Sequence, residues 1–264
     1  MIKLGFSFLF FFLGLVSGSF LNSLIYRLET NQGFIRGRSF CPNCRHTLAW
    51  RDLLPIWSFL LLRGRCRYCQ KPISWQYPLV EAATGLTFLL LFNQVLPHPF
   101  TFPVPLIYLV YLLFVSSCLI VIFVFDLKHY LIPDEIVYAG IAASLAYRLF
   151  EASGNWESLF NPLAVAFLTS LFFWLIYHFS HGQGLGFGDV KLGFLMGLLL
   201  AFPQVLAALF FAFFSGAIIG IGLLALKKKK LKSELPFAPF LVSGTFFALF
   251  FGERIVNYYL SLLV

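Results

Sequence analysis

Charged residues are scarce in this sequence. They make up 11% of the 264 residues, while 60% of the residues are hydrophobic and the mean hydropathy is +0.87; a soluble domain has about 25% charged residues. Long apolar runs recur along most of the chain. Because lipid offers the backbone no hydrogen-bond partner, a run that crosses a hydrocarbon core of about 30 Å has to be helical. The composition therefore excludes an ordinary soluble domain and predicts an all-α polytopic membrane protein.

The apolar runs predict about eight transmembrane helices. They lie at residues 4–25, 79–96, 104–125, 136–150, 159–179, 190–202, 205–226 and 236–252. The fourth and sixth are short, which local thinning of the bilayer or packing inside the bundle would accommodate. No small-residue cleavage site follows the Phe-rich start, so we expect the first span to be retained rather than removed as a signal peptide.

Acidic residues are fewer than basic ones, and the formal net charge is +8. In a soluble protein this excess would suggest a nucleic-acid partner, but nine of the 19 basic residues lie between Arg27 and Lys71 and five more between Lys227 and Lys232. The positive-inside rule places both segments in the cytoplasm. Alternation through eight spans then places residues 126–134 and 180–189 inside and the uncharged loop 97–103 outside. We interpret the charge as a topology signal, with contact to anionic lipid or substrate as a secondary role, and expect no nucleic-acid partner.

Cysteine is rare, and four of the five cysteines lie in the one sizeable polar segment, residues 26–78. Two C-x2-C turns, Cys41–Cys44 and Cys66–Cys69, stand 21 residues apart, a spacing that suits a tetrahedral four-cysteine zinc site. Two disulfides are the alternative, disfavoured in a reducing cytoplasm, and a redox C-x-x-C lacks a surrounding βαβ pattern. We predict a structural zinc that folds this small segment. The predicted ligands are Cys41, Cys44, Cys66 and Cys69.

The fifth cysteine, Cys118, lies inside the third predicted span. A small apolar packing role is expected for it rather than metal binding.

Two aspartates lie at the ends of predicted spans, where an ionisable residue is a candidate functional group. Asp126 ends the third span, and Asp189 begins the sixth after Gly184, Gly186 and Gly188. Two neighbouring carboxylates do not both ionise easily, so one acts as a base toward water and the other as an acid toward a carbonyl. We therefore predict Asp126 and Asp189 as an aspartyl protease pair at the cytoplasmic face. The glycines either let the backbone approach an extended substrate or form a flexible turn.

Other roles remain open for these acidic residues. Asp126 alone would also suit a membrane-boundary charge paired with Lys128 or Lys191, and Asp134, which follows Pro133, suits a helix N-cap better than catalysis. Glu81 lies just inside the second span without a cation nearby in the sequence. It suits either a functional site or a carboxylic acid that is kept neutral inside the bundle.

Taken together, these motifs resemble those of the prepilin peptidases, the type IV leader peptidases and N-methyltransferases of bacterial pilus and type II secretion systems. The resemblance covers nearly the whole chain. Its motifs are Gly18-Ser-Phe-Leu-Asn22, Ile25-Tyr-Arg27, both cysteine pairs, Trp50-Arg-Asp-Leu-Leu-Pro55, Leu61-Leu-Arg-Gly-Arg65, Tyr77-Pro-Leu-Val-Glu81, Asp126 to Asp134, Gly186-Phe-Gly188-Asp189-Val-Lys191-Leu and Leu235-Pro-Phe-Ala-Pro-Phe240.

The resemblance implies a bifunctional enzyme of the bacterial inner membrane. Asp126 and Asp189 would cut the basic leader from type IV prepilins or type II secretion pseudopilins at the cytoplasmic face. The new N-terminal residue would then be N-methylated with S-adenosylmethionine, an activity associated with the cysteine-bearing insertion. For the methyl-donor site the candidates are Glu81, Asn22 and Arg27.

This interpretation divides the chain into a first transmembrane helix (1–25), a cytoplasmic zinc-binding insertion (26–78) and a membrane peptidase domain (79–264). Two other functions compete with it. A proton-coupled transporter would use the aspartates as a relay, but it predicts carboxylates near mid-span and internal repeats. A non-catalytic scaffold would use the zinc segment to bind a partner, and it leaves both aspartate motifs unexplained.

Overall fold

The computed structural model describes residues 2–30, 38–96, 104–153, 155–182, 184–226 and 235–262. Within these ranges the chain is helical, with a 3-10 turn at Trp50–Asp52 and two isolated β-bridges in the cysteine insertion. The helices are α1 (Ile2–Glu29), α2 (Trp57–Leu61), α3 (Gln76–Val95), α4 (Val104–His129), α5 (Asp134–Glu151), α6 (Glu157–Phe179), α7 (Phe187–Leu200), α8 (Gln204–Ala225) and α9 (Ala238–Ser261). The lysine cluster at 227–232 and the loop at 97–103 lie outside the described residues.

Each predicted span corresponds to one long helix. Six of them, α1, α3, α4, α6, α8 and α9, are long and apolar enough to cross a membrane. The other two are the spans that were predicted as short: α5 has 18 residues and α7 has 14, the latter about 21 Å long. The all-α membrane fold is confirmed, while the count of eight spans stays a prediction.

Several helices run past the predicted ends of their spans. The helix α1 continues to Glu29, α4 continues to His129 and α9 continues to Ser261. A hydropathy window ends at the first polar residues, whereas backbone hydrogen bonding carries the helix through them. Asp126 therefore lies inside α4, about one turn before its end, and not at a helix terminus.

The first of two compact units covers residues 1–120. In it, α1 packs along α3, and the glycines of α1 make the contact close. A Cβ atom at Gly14 or Gly18 would lie 2.7 Å from the Cα of Gly85 or Glu81, respectively. Small residues four positions apart are typical of helix pairs that associate in membranes, because they let the backbones approach. The first unit also contains the cysteine insertion.

The second unit covers residues 121–264. In it, α7 packs against α5 and α6, and α8 packs against α9. Gly193 and Gly197 of α7 lie against Phe173 and Ala166 of α6, with no room for a Cβ. Most of α7 is buried, so neighbouring helices, rather than lipid, surround this short helix. That enclosure explains how α7 is accommodated despite its length.

Candidate active site

Asp126 lies in the last two turns of α4 and is 5% exposed. Its carboxyl group accepts a hydrogen bond from the backbone N–H of Ala238, the first residue of α9. The Oδ2 atom is buried and has no hydrogen-bond partner among the described residues. One oxygen of Asp126 is thus available to a molecule that enters the site.

Asp189 is the third residue of α7 and is 6% exposed. Its Oδ2 accepts a hydrogen bond from the Gly186 N–H at 3.0 Å, and its own N–H donates to the Gly186 carbonyl at 3.1 Å. The bond from the Gly186 N–H to the Asp189 carboxylate is one half of a capping box. It holds the acid at the N-terminus of α7, which is the positive end of the helix dipole. The Oδ1 atom is buried without a partner in the described part of the chain.

The two aspartates belong to the same compact unit, and the charge of Asp126 acts on the Asp189 carboxyl group. Each carboxyl is fixed through one oxygen by a backbone N–H, and its second oxygen has no hydrogen-bond partner within the described ranges. Buried polar atoms are normally hydrogen-bonded, and exceptions mark catalytic groups or places that water occupies. The arrangement suits a pair that activates water and protonates a carbonyl.

The glycines before Asp189 serve different purposes. A Cβ at Gly188 would lie 2.9 Å from the Cβ of Ile132, because the Ile132 side chain packs directly against this glycine. Gly186 has ordinary extended backbone angles, and its contribution is the N–H that binds Asp189. At Gly184 a Cβ would meet only Ser180, at 3.4 Å. Close backbone packing therefore requires glycine at position 188.

Two alternatives for the neighbouring charges are wrong, the pairing of Asp126 with Lys191 and the N-cap role of Asp134, while the pairing of Asp126 with Lys128 stays a prediction. The Lys191 ammonium donates to both carboxylate oxygens of Asp134 at 2.7 Å, so Lys191 pairs with Asp134 and not with Asp126. Asp134 is not an N-cap either, because Pro133 takes that position and Asp134 is already the first residue of α5. Pro133 has the extended backbone that an N-cap needs, so the helix starts one residue earlier than it would with a cap at Asp134.

The Ala238 amide belongs to the site, but the sequence did not predict it. Its motif, Leu235 to Phe240, was part of the resemblance, and Pro239 in the first turn is a signal for a helix start. The local pattern predicts a free N–H at that start. It does not indicate that the N–H reaches a carboxylate more than 100 residues earlier in the chain.

The four predicted zinc ligands come together. Their sulfur atoms all lie within 4.8 Å of one another, and the Sγ atoms of Cys41 and Cys69 are 3.9 Å apart. Tetrahedral zinc with Zn–S bonds of about 2.3 Å needs S···S distances of about 3.8 Å. All five cysteines are free of disulfides, and Cys118 is buried in α4 as a packing residue. The donor set therefore fits a four-coordinate zinc ion.

Both cysteine turns have the same backbone geometry. The N–H of Arg45 donates to the Cys41 carbonyl at 2.8 Å, and the N–H of Gln70 donates to the Cys66 carbonyl at 3.0 Å. Burial raises the pKa of the Cys41 thiol, but hydrogen bonds from the Cys44 and Asn43 backbone outweigh it and lower the pKa to about 7. At Cys69 the Lys71 backbone hydrogen bond lowers the pKa of the thiol, but burial and hydrogen bonds with the other three cysteines outweigh it and raise the pKa to about 11. A bound metal ion would displace the protons that the four thiols share.

The residues named for the methyl donor lie in the first unit, and their polar groups are engaged. The Glu81 Oε2 accepts the Ile56 N–H at 2.7 Å, and its carboxyl also bonds the Ser19 side chain. The Asn22 amide donates to the Tyr77 carbonyl at 3.0 Å and accepts from the Gln76 side chain at 3.3 Å.

Arg27, the third of these residues, lies in the last turn of α1 and is half-buried. The bonds of Glu81 and Asn22 tie α1, α3 and the insertion together. The assignment of Glu81, Asn22 and Arg27 to the methyl-donor site stays a prediction.

Comparison with known proteins matches two family models to the chain. The bacterial peptidase A24 N-terminal domain matches residues 12–95, and the type IV leader peptidase family matches residues 112–221. No solved structure matches.

Curated proteins named prepilin leader peptidase/N-methyltransferase align with the chain over most of its length. The Bacillus subtilis protein is 32% identical over 96% of this chain and 97% of its own length. The Aeromonas hydrophila protein is 31% identical over 96% and 93% of the two chains. The Pectobacterium carotovorum protein is 33% identical over 90% of each.

Proposed function

Because the chain belongs to the type IV leader peptidase family, we propose that Asp126 and Asp189 are the pair with which it cleaves prepilins. The resemblance found in the sequence is confirmed by this membership. The protein is a multi-pass membrane protease with N-methyltransferase activity, and prepilins are its substrates. Its assignment to the inner membrane follows from the same family and from the membrane-crossing helices.

The observation that carries the assignment of the pair is the oxygen on each buried carboxyl group that has no hydrogen-bond partner among the residues the structure describes. One carboxylate removes a proton from a water molecule, and the water oxygen bonds to the carbonyl carbon of the scissile peptide. The other carboxyl donates its proton to the carbonyl oxygen. When the tetrahedral intermediate collapses, the C–N bond breaks, the leaving nitrogen takes up a proton from the first aspartic acid, and one hydroxyl of the intermediate returns its proton to the second aspartate. The backbone N–H groups of Ala238 and Gly186 hold the two carboxyls in place during these transfers.

We place the site and the cysteine insertion on the cytoplasmic side. The basic residues of the insertion and the positive-inside rule support this orientation. Asp126 lies near the end of α4 and Asp189 near the start of α7, so both are close to a membrane boundary. A prepilin anchored by its hydrophobic helix would present its scissile bond at that depth. Type II secretion pseudopilins, which share this design, are proposed as further substrates.

Methyl transfer adds a methyl group to the amine that cleavage releases. The name N-methyltransferase implies that S-adenosylmethionine is the donor. The site at Glu81, Asn22 and Arg27 stays a prediction, because the first two already bond within the protein. The roles that the structure supports for Glu81 and Asn22 are to hold α3 to the insertion and to α1.

For the four-cysteine cluster we propose a structural zinc ion. With four thiolates bound, the ion has no open position for catalysis, and it stabilises a segment without a core of its own. Metal analysis of purified protein should find about one zinc per chain. Cys66→Ser should lose it, while the buried Cys118→Ser keeps it. Far less than one zinc in the unchanged protein would remove this proposal.

The function is tested with purified protein in nanodiscs and a purified prepilin, followed by mass spectrometry of the product. The unchanged protein should release the leader and, with S-adenosylmethionine, add one methyl group to the shortened chain. Asp126→Asn and Asp189→Asn should each abolish cleavage. If both variants still cut, the aspartyl mechanism is wrong, and the transporter and scaffold hypotheses return.

A further inference from the structure

The cysteine insertion carries an apolar face that the protein leaves exposed. Trp57, Leu60 and Leu61 of α2 follow the i, i+3, i+4 spacing of one side of a helix, and they are 61%, 58% and 76% exposed. Leu54, three residues before Trp57, is exposed as well. We call these four residues the Trp57 face. In a soluble domain such a face would pack inward; a contiguous exposed one marks an interaction surface.

The opposite side of α2 is fixed to the rest of the first unit. Phe59 is buried, and its ring packs on the ring of Trp75 with a centroid distance of 4.9 Å. At the start of the helix, the Ile56 N–H donates to Glu81. Ile56 itself has a φ of 61°, which a β-branched residue rarely adopts. The helix therefore cannot turn its exposed face inward without breaking these contacts.

These contacts also set the depth of α2. The helix α3 has 20 residues, about 30 Å, which matches the hydrocarbon thickness of a bilayer. Glu81 is its sixth residue, about 8 Å along the axis from Gln76, and side chains on a helix lean toward its N-terminus. Because Ile56 bonds Glu81, α2 begins within about two turns of the start of α3. That is the depth at which headgroups meet hydrocarbon.

Exposed apolar side chains also lie at the start of α3. Trp75, next to the first residue of α3, is 69% exposed, and Leu79, one turn further, is 63% exposed. Tryptophan is enriched where membrane proteins cross the headgroup region, because its ring is amphipathic. An exposed tryptophan at the start of α3 agrees with a position of this helix end in the headgroup region.

The charge around this surface is almost entirely positive. Residues 38–75 contain seven basic residues, all exposed, and a single acidic residue, Asp52, which is bound by Arg67. Such a segment is attracted to anionic phospholipid headgroups. The basic residues are Arg38, Arg45, Arg51, Arg63, Arg65, Arg67 and Lys71.

We propose that the Trp57 face inserts into the headgroup region of the leaflet in which α3 begins, with the surrounding basic residues on anionic phospholipids. The insertion is then an interfacial part of the membrane protein and not a domain free in the cytoplasm. Apolar residues on one side and positive charge around them are the features of interfacial helices. This proposal does not depend on which residues catalyse cleavage.

The first test uses the unchanged protein in nanodiscs that contain phosphatidylglycerol. Hydroxyl-radical footprinting measures the oxidation of each side chain, and Tyr68 of the second cysteine turn is the internal reference. Within the protein Trp57 is more exposed than Tyr68, 61% against 43%. Lipid cover reverses this order, so Trp57 should oxidise several-fold more slowly than Tyr68. Equal or faster oxidation of Trp57 would overturn the proposal.

The second test identifies what covers the face. The variant retains Trp57 as its single tryptophan, and the other four, Trp50, Trp75, Trp156 and Trp174, are replaced by Phe. Leader cleavage checks that this variant folds. In nanodiscs of brominated lipid, about half of its tryptophan fluorescence should be quenched. Quenching should be stronger with anionic than with neutral lipid. A Trp57 that is shielded but not quenched would mean that protein covers it, either a prepilin or a second copy, and would contradict lipid insertion.

Discussion

The buried carboxyl groups of the two units differ in how many of their oxygen atoms accept hydrogen bonds. In residues 1–120, Asp52 accepts bonds on both oxygens, from Arg67 on one and from Ala49 and Tyr68 on the other, and Glu81 is bound by Ile56 and Ser19. In the described part of residues 121–264, Asp126 and Asp189 each keep one buried oxygen without a partner. A saturated carboxyl group stabilises the fold, while a partly saturated one retains the capacity to bind and transfer protons.

The largest effect should come from removing either unsaturated carboxyl group. Asp126→Asn and Asp189→Asn should each lower the rate of prepilin cleavage by about 1,000-fold or more, because the amide transfers no proton. The matched control is Asp134→Asn, which breaks a half-exposed ion pair worth about 1 kcal/mol or less and should leave cleavage within a few-fold. Steady-state cleavage assays measure all three variants. Equal losses of cleavage in all three variants would show that any acidic residue near this face affects the rate. That result would contradict the distinction between saturated and unsaturated carboxyl groups.

A smaller effect is expected when the support of Asp126 is removed. Ala238→Pro deletes the N–H that binds Asp126 at a first helical position, where proline is tolerated. A hydrogen bond to a charged group of this kind is worth about 1.5–3 kcal/mol, so cleavage should fall by about 10- to 100-fold. Ala238→Gly keeps the N–H and should lose much less. A proline variant as active as the glycine variant would remove the role of this amide.

Replacing the saturated carboxyl of Glu81 should affect stability and not cleavage. Glu81→Leu leaves the Ile56 N–H without its acceptor and should destabilise the local fold of the insertion by about 1–3 kcal/mol. Glu81→Gln keeps an acceptor oxygen and should lie closer to the unchanged protein. Hydrogen exchange of residues 53–62 reports the difference. Loss of cleavage with unchanged exchange in Glu81→Leu would place Glu81 in the protease machinery and contradict the distinction.

The smallest effect concerns Asp52. Burial raises the pKa of this carboxyl, but the hydrogen bond and charge of Arg67 outweigh burial and hold the pKa below its usual range. Arg67→Gln should therefore destabilise the cysteine insertion slightly, since an exposed ion pair contributes little, whereas Arg65→Gln removes a neighbouring exposed charge and should have almost no effect. Hydrogen exchange at the second cysteine turn measures both. Equal changes would mean that net charge, and not this ion pair, stabilises the insertion.

Much of the fold follows from the sequence because membrane spans and cysteine turns are local signals. Apolar runs located all eight long helices, and the C-x2-C spacing identified four sulfur atoms that the structure brings together. Helix ends were less accurate, since α4 continues beyond Asp126. The short helix α2 was not predicted, because five residues with an exposed apolar face have no periodic signal long enough to detect.

The parts of the site that the sequence did not predict depend on long-range contacts. The partner of Lys191 is Asp134, 57 residues away, and the amide that binds Asp126 belongs to Ala238. Similarly, Glu81 bonds a backbone N–H in a loop that precedes it by 25 residues. Residue types and spacing indicate which groups are chemically capable, but helix packing decides which of them meet.

The most direct test of the account is the double variant Asp126→Asn/Asp189→Asn beside the two single variants, in single-turnover cleavage of a prepilin. Two residues that act as one unit lose nearly all activity when either is removed, so their effects are not additive. We expect the double variant to be no slower than the slower single variant. Losses that multiply, or a single variant that still cuts at near the normal rate, would contradict a shared catalytic site.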